Sequence, residues 1–150
     1  FYANSHYVTP GPTMKQAVEA IKFELAERLK ALPGRCFVFT NGAREYAGRV
    51  LDRLGVADCF VDVFAIEDAD LTPKPAPATF RRMAERFGLD PHKAVFFEDT
   101  PKNLEPAKAM GMRTVLIGDG HGKPLGPHID HQAPDLLDFL LSLSFKDAAA

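Results

Sequence analysis

Apolar residues recur at three- and four-residue spacing from Lys15 to Leu32: Val18, Ile21, Leu25, Leu29 and Leu32. That spacing predicts a helix with one apolar stripe, stopped by Pro33-Gly34. The pattern then changes to a short unbroken apolar run, Cys36 to Phe39 (CFVF). After a helix and a breaker, such a run reads as a buried parallel strand. A second helix is expected over Arg44 to Leu54, with Tyr46, Ala47, Val50, Leu51 and Leu54 facing inward and Gly55 as its left-handed terminator. Phe60 to Ile66 is apolar around one acid, Asp62, and reads as a short strand or extended connection.

The alternation continues. Pro77 to Phe87 is predicted helical, with Pro77 in the first turn and Gly88 closing it. Ala94 to Phe97 (AVFF) is a second buried strand, ending in Glu98-Asp99-Thr100. A helix over Lys102 to Met110, a strand over Arg113 to Ile117, a Gly/Pro/His loop and a final helix over Pro134 to Leu143 complete the pattern, before a polar, alanine-rich tail. Helices and strands alternating through short connections predict one α/β domain with a mostly parallel sheet covered on both faces. Residues 15–150 carry this pattern, whereas 1–14 read as an irregular segment, a remnant of or join to something else, with a change of character at HYVTPGPTMKQ.

Composition narrows the function classes. The chain has 150 residues and a formal charge of -2, with 46% apolar and 25% charged residues. Without a basic excess, nucleic acid is not an expected partner. No apolar run approaches the ~18 residues of a membrane span. Cys36 and Cys59 lie among apolar residues without a CxxC spacing, and buried free thiols are expected. With no secretory leader visible, the expected location is cytoplasmic.

In an open parallel sheet, ligands bind beyond the carboxyl ends of the strands. Three such ends are polar here: Thr40-Asn41, Glu98-Asp99-Thr100 and Gly118-Asp119, with Lys74-Pro75 at the mouth of a helix between the first two. The Thr40 hydroxyl and the backbone N–H groups of Asn41 and Gly42 are suited to an anion, and Lys74 to a phosphate as a point charge. Glu98 and Asp99 concentrate negative charge that a hard cation would relieve, and Asn103 lies one turn further along the helix. Each feature also has a plainer reading. Thr40-Asn41 and Glu98-Asp99-Thr100-Pro101 could be helix caps, and Lys74 an exposed loop lysine. The ordered set is harder to explain that way.

These segments resemble the haloacid dehalogenase-like superfamily of phosphohydrolases. Thr40-Asn41 after CFVF looks like its second motif, Lys74-Pro75 its third, and FFEDTPKN, through Asn103, its fourth. FVFTNGAREYAGRVLDRLG, IEDADLTPKPAP and VFFEDTPKNLEPAKAMGMRTVLIG look closest to the pyrimidine 5'-nucleotidase branch. The resemblance implies a Rossmann-like, three-layer α/β/α core and magnesium-dependent hydrolysis of a small phosphate monoester. It implies phosphate binding by Thr40, Asn41, Gly42 and Lys74, catalytic roles for Lys74 and Asp99, Mg2+ at Asp99 with Glu98, and support from Thr100 and Asn103.

The family's first motif, Asp-x-Asp-x-Thr at the end of a first strand, holds a nucleophilic and an acid/base aspartate. Asp68, Asp70 and Thr72 have those letters, but they follow Thr40 instead of preceding it and run into Lys74-Pro75. They are read as an acidic turn. On this resemblance, the first strand, the nucleophile and most of a cap are not expected within these residues. The expectation is a sheet lacking one strand between CFVF and AVFF, with the exposed edge covered by an N-terminal segment or an oligomer partner. The second functional reading is an inactive domain that binds an anion or a protein. His121, His128 and His131, the only other chemistry-bearing cluster, read as a solvated loop.

Overall fold

The computed structural model describes residues 11, 13–122 and 124–143. The N-terminal segment, its HYVTPGPTMKQ junction up to Pro12, and the alanine-rich tail therefore lie outside the described residues, Gly11 apart. Ten elements follow in chain order: α1 (Met14–Lys30), β1 (Phe37–Phe39), α2 (Arg44–Leu54), β2 (Asp62–Phe64), α3 (Pro77–Phe87), β3 (Val95–Glu98), α4 (Pro101–Ala109), β4 (Arg113–Ile117), β5 (His131–Ala133) and α5 (Leu136–Ser142). Every strand pairing is parallel. This is the expected α/β architecture with flanking helices.

The boundaries have local causes. Thr13 caps α1, its hydroxyl accepting from the Gln16 N–H while Gln16 reaches back to the Thr13 N–H, a capping box. Gly55 and Gly88 end α2 and α3 at φ 71° and 60°, a backbone that glycine adopts without steric cost. Pro77 opens α3, where its missing N–H has no intrahelical partner to lose.

The sheet is in two pieces. β1 pairs with β2, while β3, β4 and β5 pair in that order. Among the described residues, no backbone hydrogen bond joins β1 to β3. The pieces nevertheless share a core. Phe39 of β1 meets Phe96 of β3 with ring centroids 5.9 Å apart, and both pack edge-on to Phe80 of α3 at 5.0 and 5.5 Å. Phe64, Met83, Phe87, Ala107 and Met112 complete that cluster. Next along β3, Phe97 points to the other face and meets Phe139 of α5 at 5.3 Å. A second cluster lies there, built from Ala26, Leu29, Val56 and Leu140. Helices α3 and α4 thus cover one face, and α1 and α5 the other.

Several expectations are corrected. β5 falls where the sequence pattern predicts loop; only Ala133 of its three residues is buried, so it shows no apolar run. Of the inward-facing set on α2, Ala47 is buried, whereas Tyr46, Val50 and Leu54 are exposed, Tyr46 at 61%. On α1, Val18 and Ile21 remain exposed at 43% and 56% because the helix meets α5 only through its C-terminal half. Val95 was expected inside a buried strand and is 52% exposed at the start of β3. Cys36 and Cys59 are free and only half-buried.

Candidate active site

The carboxyl ends of β1 and β3 lie side by side, and Lys74 spans them. Its ammonium donates to the Phe39 carbonyl at 3.0 Å and to Glu98 Oε2 at 2.6 Å. It also lies 4.9 Å from the Phe39 ring centroid and 5.6 Å from that of Phe96, within cation–π range. The Lys74 and Glu98 side chains are 9% and 7% exposed. A buried charge pair holds only with good geometry and further hydrogen bonds. Glu98 has them, since Oε1 accepts from the N–H groups of Asp99 and Thr100 at 3.0 and 3.2 Å. Lys74 is therefore no exposed loop lysine.

Asn41 fixes the backbone of Lys74. Its side-chain oxygen accepts from the Lys74 N–H at 2.7 Å, and its amide nitrogen donates to the Lys74 carbonyl at 3.3 Å. The peptide that follows, Lys74-Pro75, is cis. Thr40 hangs from β2, its N–H donating to the Phe64 carbonyl at 2.9 Å. Its hydroxyl accepts from the Gly42 N–H at 2.9 Å and retains its own proton for an incoming oxygen. Gly42 thus spends its N–H inside the turn. A Cβ there would lie 3.3 Å from the Thr40 hydroxyl oxygen.

Thr40 and Asn41 do not cap α2. The cap is Ala43, which makes no side-chain bond. Glu67 substitutes from a distance, its two carboxylate oxygens accepting from the Arg44 N–H at 3.1 and 3.2 Å. Nor does the Thr100 side chain cap α4, although Thr100 is the residue at that position; its hydroxyl donates to Asp99 Oδ1 at 3.3 Å. Asp99 is exposed, and Asn103 is half-buried in the first turn of α4. The structure thus gathers Thr40, Asn41, Lys74 and Glu98 directly, with Asp99 and Thr100 adjoining Glu98.

Whether the site suits a magnesium ion is decided by its donors. Magnesium takes one or two carboxylates and completes its shell with water and substrate oxygens. Asp99 offers an exposed carboxylate of that kind. Both oxygens of Glu98 are already engaged, one with Lys74 and one with backbone N–H groups. The set therefore fits a largely hydrated ion held first by Asp99. No group of three or more His, Cys, Asp or Glu placed for a metal occurs among the described residues.

The acidic turn before Lys74 is not laid out as a nucleophile pair. Both Asp68 oxygens accept from other groups of the protein. Asp70 pairs with Arg82 at 2.6 Å. Burial pushes the Asp68 carboxyl up, but the Ala65 N–H and the Arg44 and Arg86 guanidiniums outweigh it and hold the group below the usual range. Beyond β4, Asp130 accepts from the N–H and hydroxyl of Thr114 at 2.9 and 3.1 Å and from Lys108. His128 Nε2 lies 3.0 Å from the Pro101 carbonyl. Part of the loop read as solvated is thus anchored to β4 and α4.

Fold and strand ends together define an α/β domain whose polar groups gather at the carboxyl ends of β1 and β3. The family model of haloacid dehalogenase-like hydrolases matches residues 4–111. A phosphoglycolate phosphatase of Rhodospirillum rubrum is 30% identical over 119 residues, 79% of this chain and 48% of that protein. A fructose-1-phosphate phosphatase of Escherichia coli is 30% identical over 125 residues, 76% of this chain and 66% of that protein. Among solved structures, a phosphatase of the same family from Thermococcus onnurineus superposes with a TM-score of 0.60 at 25% identity, covering 77% of this chain and 51% of that one. The chain belongs to the haloacid dehalogenase-like hydrolase family. It spans about half the length of the first of these relatives and under two thirds of the others. No helix among the described residues is long and apolar enough to cross a membrane.

Proposed function

We propose that this chain forms the phosphate-binding half of a magnesium-dependent hydrolase for a small phosphorylated metabolite. The observation that carries the reading is the buried Lys74 ammonium, held between Phe39 and Glu98 where the two sheet pieces meet. An incoming phosphoryl group would accept from Lys74 and from the Thr40 hydroxyl, with the Asn41 backbone N–H assisting. Asp99, aided by Thr100 and Asn103, would hold Mg2+, which when bound supplies positive charge to the phosphoryl oxygens. The attacking aspartate would ride on a strand filling the gap between β1 and β3, its carboxylate beside Lys74. The named relatives support a phosphorylated acid or sugar as substrate. A pyrimidine nucleoside 5'-monophosphate rests on the resemblance of the three longer segments alone.

A second reading is a domain that binds phosphate without turning it over, since Thr40, Asn41 and Lys74 would receive an anion whatever lies beside them. One assay separates the two. Phosphate release is followed with and without Mg2+ from phosphoglycolate, fructose 1-phosphate, glyceraldehyde 3-phosphate, UMP and CMP. In protein that carries the attacking aspartate, the hydrolase reading expects Mg2+-dependent turnover that falls by roughly 10²–10³-fold in Asp99→Asn and in Lys74→Met. Saturable phosphate binding without turnover in that same protein would establish the second reading. Neither turnover nor binding would overturn both.

A further inference from the structure

Asp68 has the letters of a nucleophile motif and the surroundings of a structural anchor. Its side chain is 16% exposed. One carboxylate oxygen accepts from the Ala65 N–H at 2.8 Å and from the Arg44 guanidinium. The other accepts from Arg86 at 3.2 Å. Both arginines also reach Asp62, at 3.6 and 3.3 Å. Two carboxylates and two guanidiniums thus alternate. Arg44 opens α2, Asp62 opens β2 and Arg86 lies in the last turn of α3. Asp68 brings the turn that leads to Lys74 into that arrangement.

This turn needs external support. Just after Asp68, Asp70 and Leu71 take left-handed backbone at φ 48° and 58°. Such a conformation is sterically unfavourable for a residue with a Cβ, more so for Leu71 than for Asp70. Downstream, the Thr79 hydroxyl holds the Thr72 carbonyl at 2.8 Å, and Asn41 then receives Lys74. Upstream, Asp68 is the charged anchor. Two guanidiniums and one amide N–H use its lone pairs, so it is badly placed to attack anything.

We propose that Asp68 is a positioning residue: by pinning the Ile66–Thr72 turn to Arg44 and Arg86, it sets the Lys74 ammonium between the Phe39 carbonyl and Glu98. Its link to phosphate binding rests on the function proposed above, whereas its effect on Lys74 does not. The test therefore has two readouts. The first needs no ligand. Lys74 lies over two phenyl rings, so ring currents displace its ε-methylene NMR signal, which is assigned as the one lost in Lys74→Met. Asp68→Asn keeps the size and an acceptor but removes the charge. The signal should move at least halfway to the position of exposed lysines. Arg86→Gln should move it the same way by less, and serves if Asp68→Asn does not fold. Asp70→Asn, on the rim, should leave it in place.

The second readout is the affinity for inorganic phosphate. Asp68→Asn should weaken it about fivefold, with no further loss when added to Lys74→Met, because contacts acting through one group are non-additive. An unmoved Lys74 signal in folded Asp68→Asn or Arg86→Gln, with unchanged phosphate affinity, overturns the assignment and leaves the anion site standing. A signal that moves in a protein that never bound phosphate overturns the anion site and leaves the assignment standing. Additive loss in the double variant marks Asp68 as a general stabiliser and overturns it.

Discussion

The two faces of the sheet are built from different materials. Under α3 and α4 the core is largely aromatic, with Phe64, Phe80 and Phe87 buried and Phe37, Phe39 and Phe96 packed against them. Under α1 and α5 the buried residues are fewer and aliphatic, Ala26, Leu29, Val56 and Leu140, with Phe60 and Phe139 only partly buried beside them. The aromatic face extends up to Lys74, whose ammonium rests over Phe39 and Phe96. The aliphatic face carries no candidate site residue, and α1 leaves Val18 and Ile21 uncovered there. The chain thus places its aromatic packing beneath the candidate site, where the ring faces also attract the Lys74 charge.

Breaking each face should show the difference. Phe80→Ala removes a fully buried ring that touches both sheet pieces, at an expected cost of about 3–5 kcal/mol. Denaturant unfolding should show that loss, and phosphate affinity should fall with it. Leu140→Ala also empties a fully buried position, with an expected cost of about 2–5 kcal/mol. In the folded state its phosphate affinity should stay at the wild-type value. Equal loss of affinity in both variants would mean that the faces are not functionally distinct.

A smaller effect sharpens the comparison at β4. Lys108 first, then the Thr114 N–H and hydroxyl, bring the Asp130 carboxyl down to about 2 against the opposing effect of burial. A depressed carboxylate stabilises the fold above its unfolded value near ~3.9 and ceases to do so as pH falls through the folded one. Asp130→Asn should therefore melt below wild type at neutral pH, and the two curves should converge between about pH 4 and pH 2. A constant difference across that range would show that shape, not charge, is what Asp130 contributes. The smallest effect is expected at Leu71, which is exposed and left-handed. Leu71→Gly should raise stability by about 0.5–1 kcal/mol, the relief of strain exceeding the added chain entropy. Denaturant midpoints would measure it.

What the sequence disclosed follows the range of each cause. The ends of α3 were readable because Pro77 and Gly88 act locally. β5 was not, because His131 and Gln132 are exposed and the strand exists only through pairing with β4. The stripe on α1 was visible, but which half of it meets α5 is a tertiary matter. At the site, the strand-end residue types were plain in the sequence. The bonds that organise them were not: Asn41 to Lys74 spans 33 positions and Lys74 to Glu98 spans 24. Asp68 was legible as a turn residue and illegible as an anchor, since Arg44 and Arg86 lie 24 and 18 positions away.

The divided sheet also bears on how the chain behaves in company. An unpaired strand edge is a template for another strand, from any molecule that brings one. Among the described residues, β1 and β3 each have one edge without a strand partner, and both edges lie where the two sheet pieces meet. The strands are three and four residues long, and Lys74 already occupies the last β1 carbonyl. Short edges with one end covered limit the template to a few hydrogen bonds.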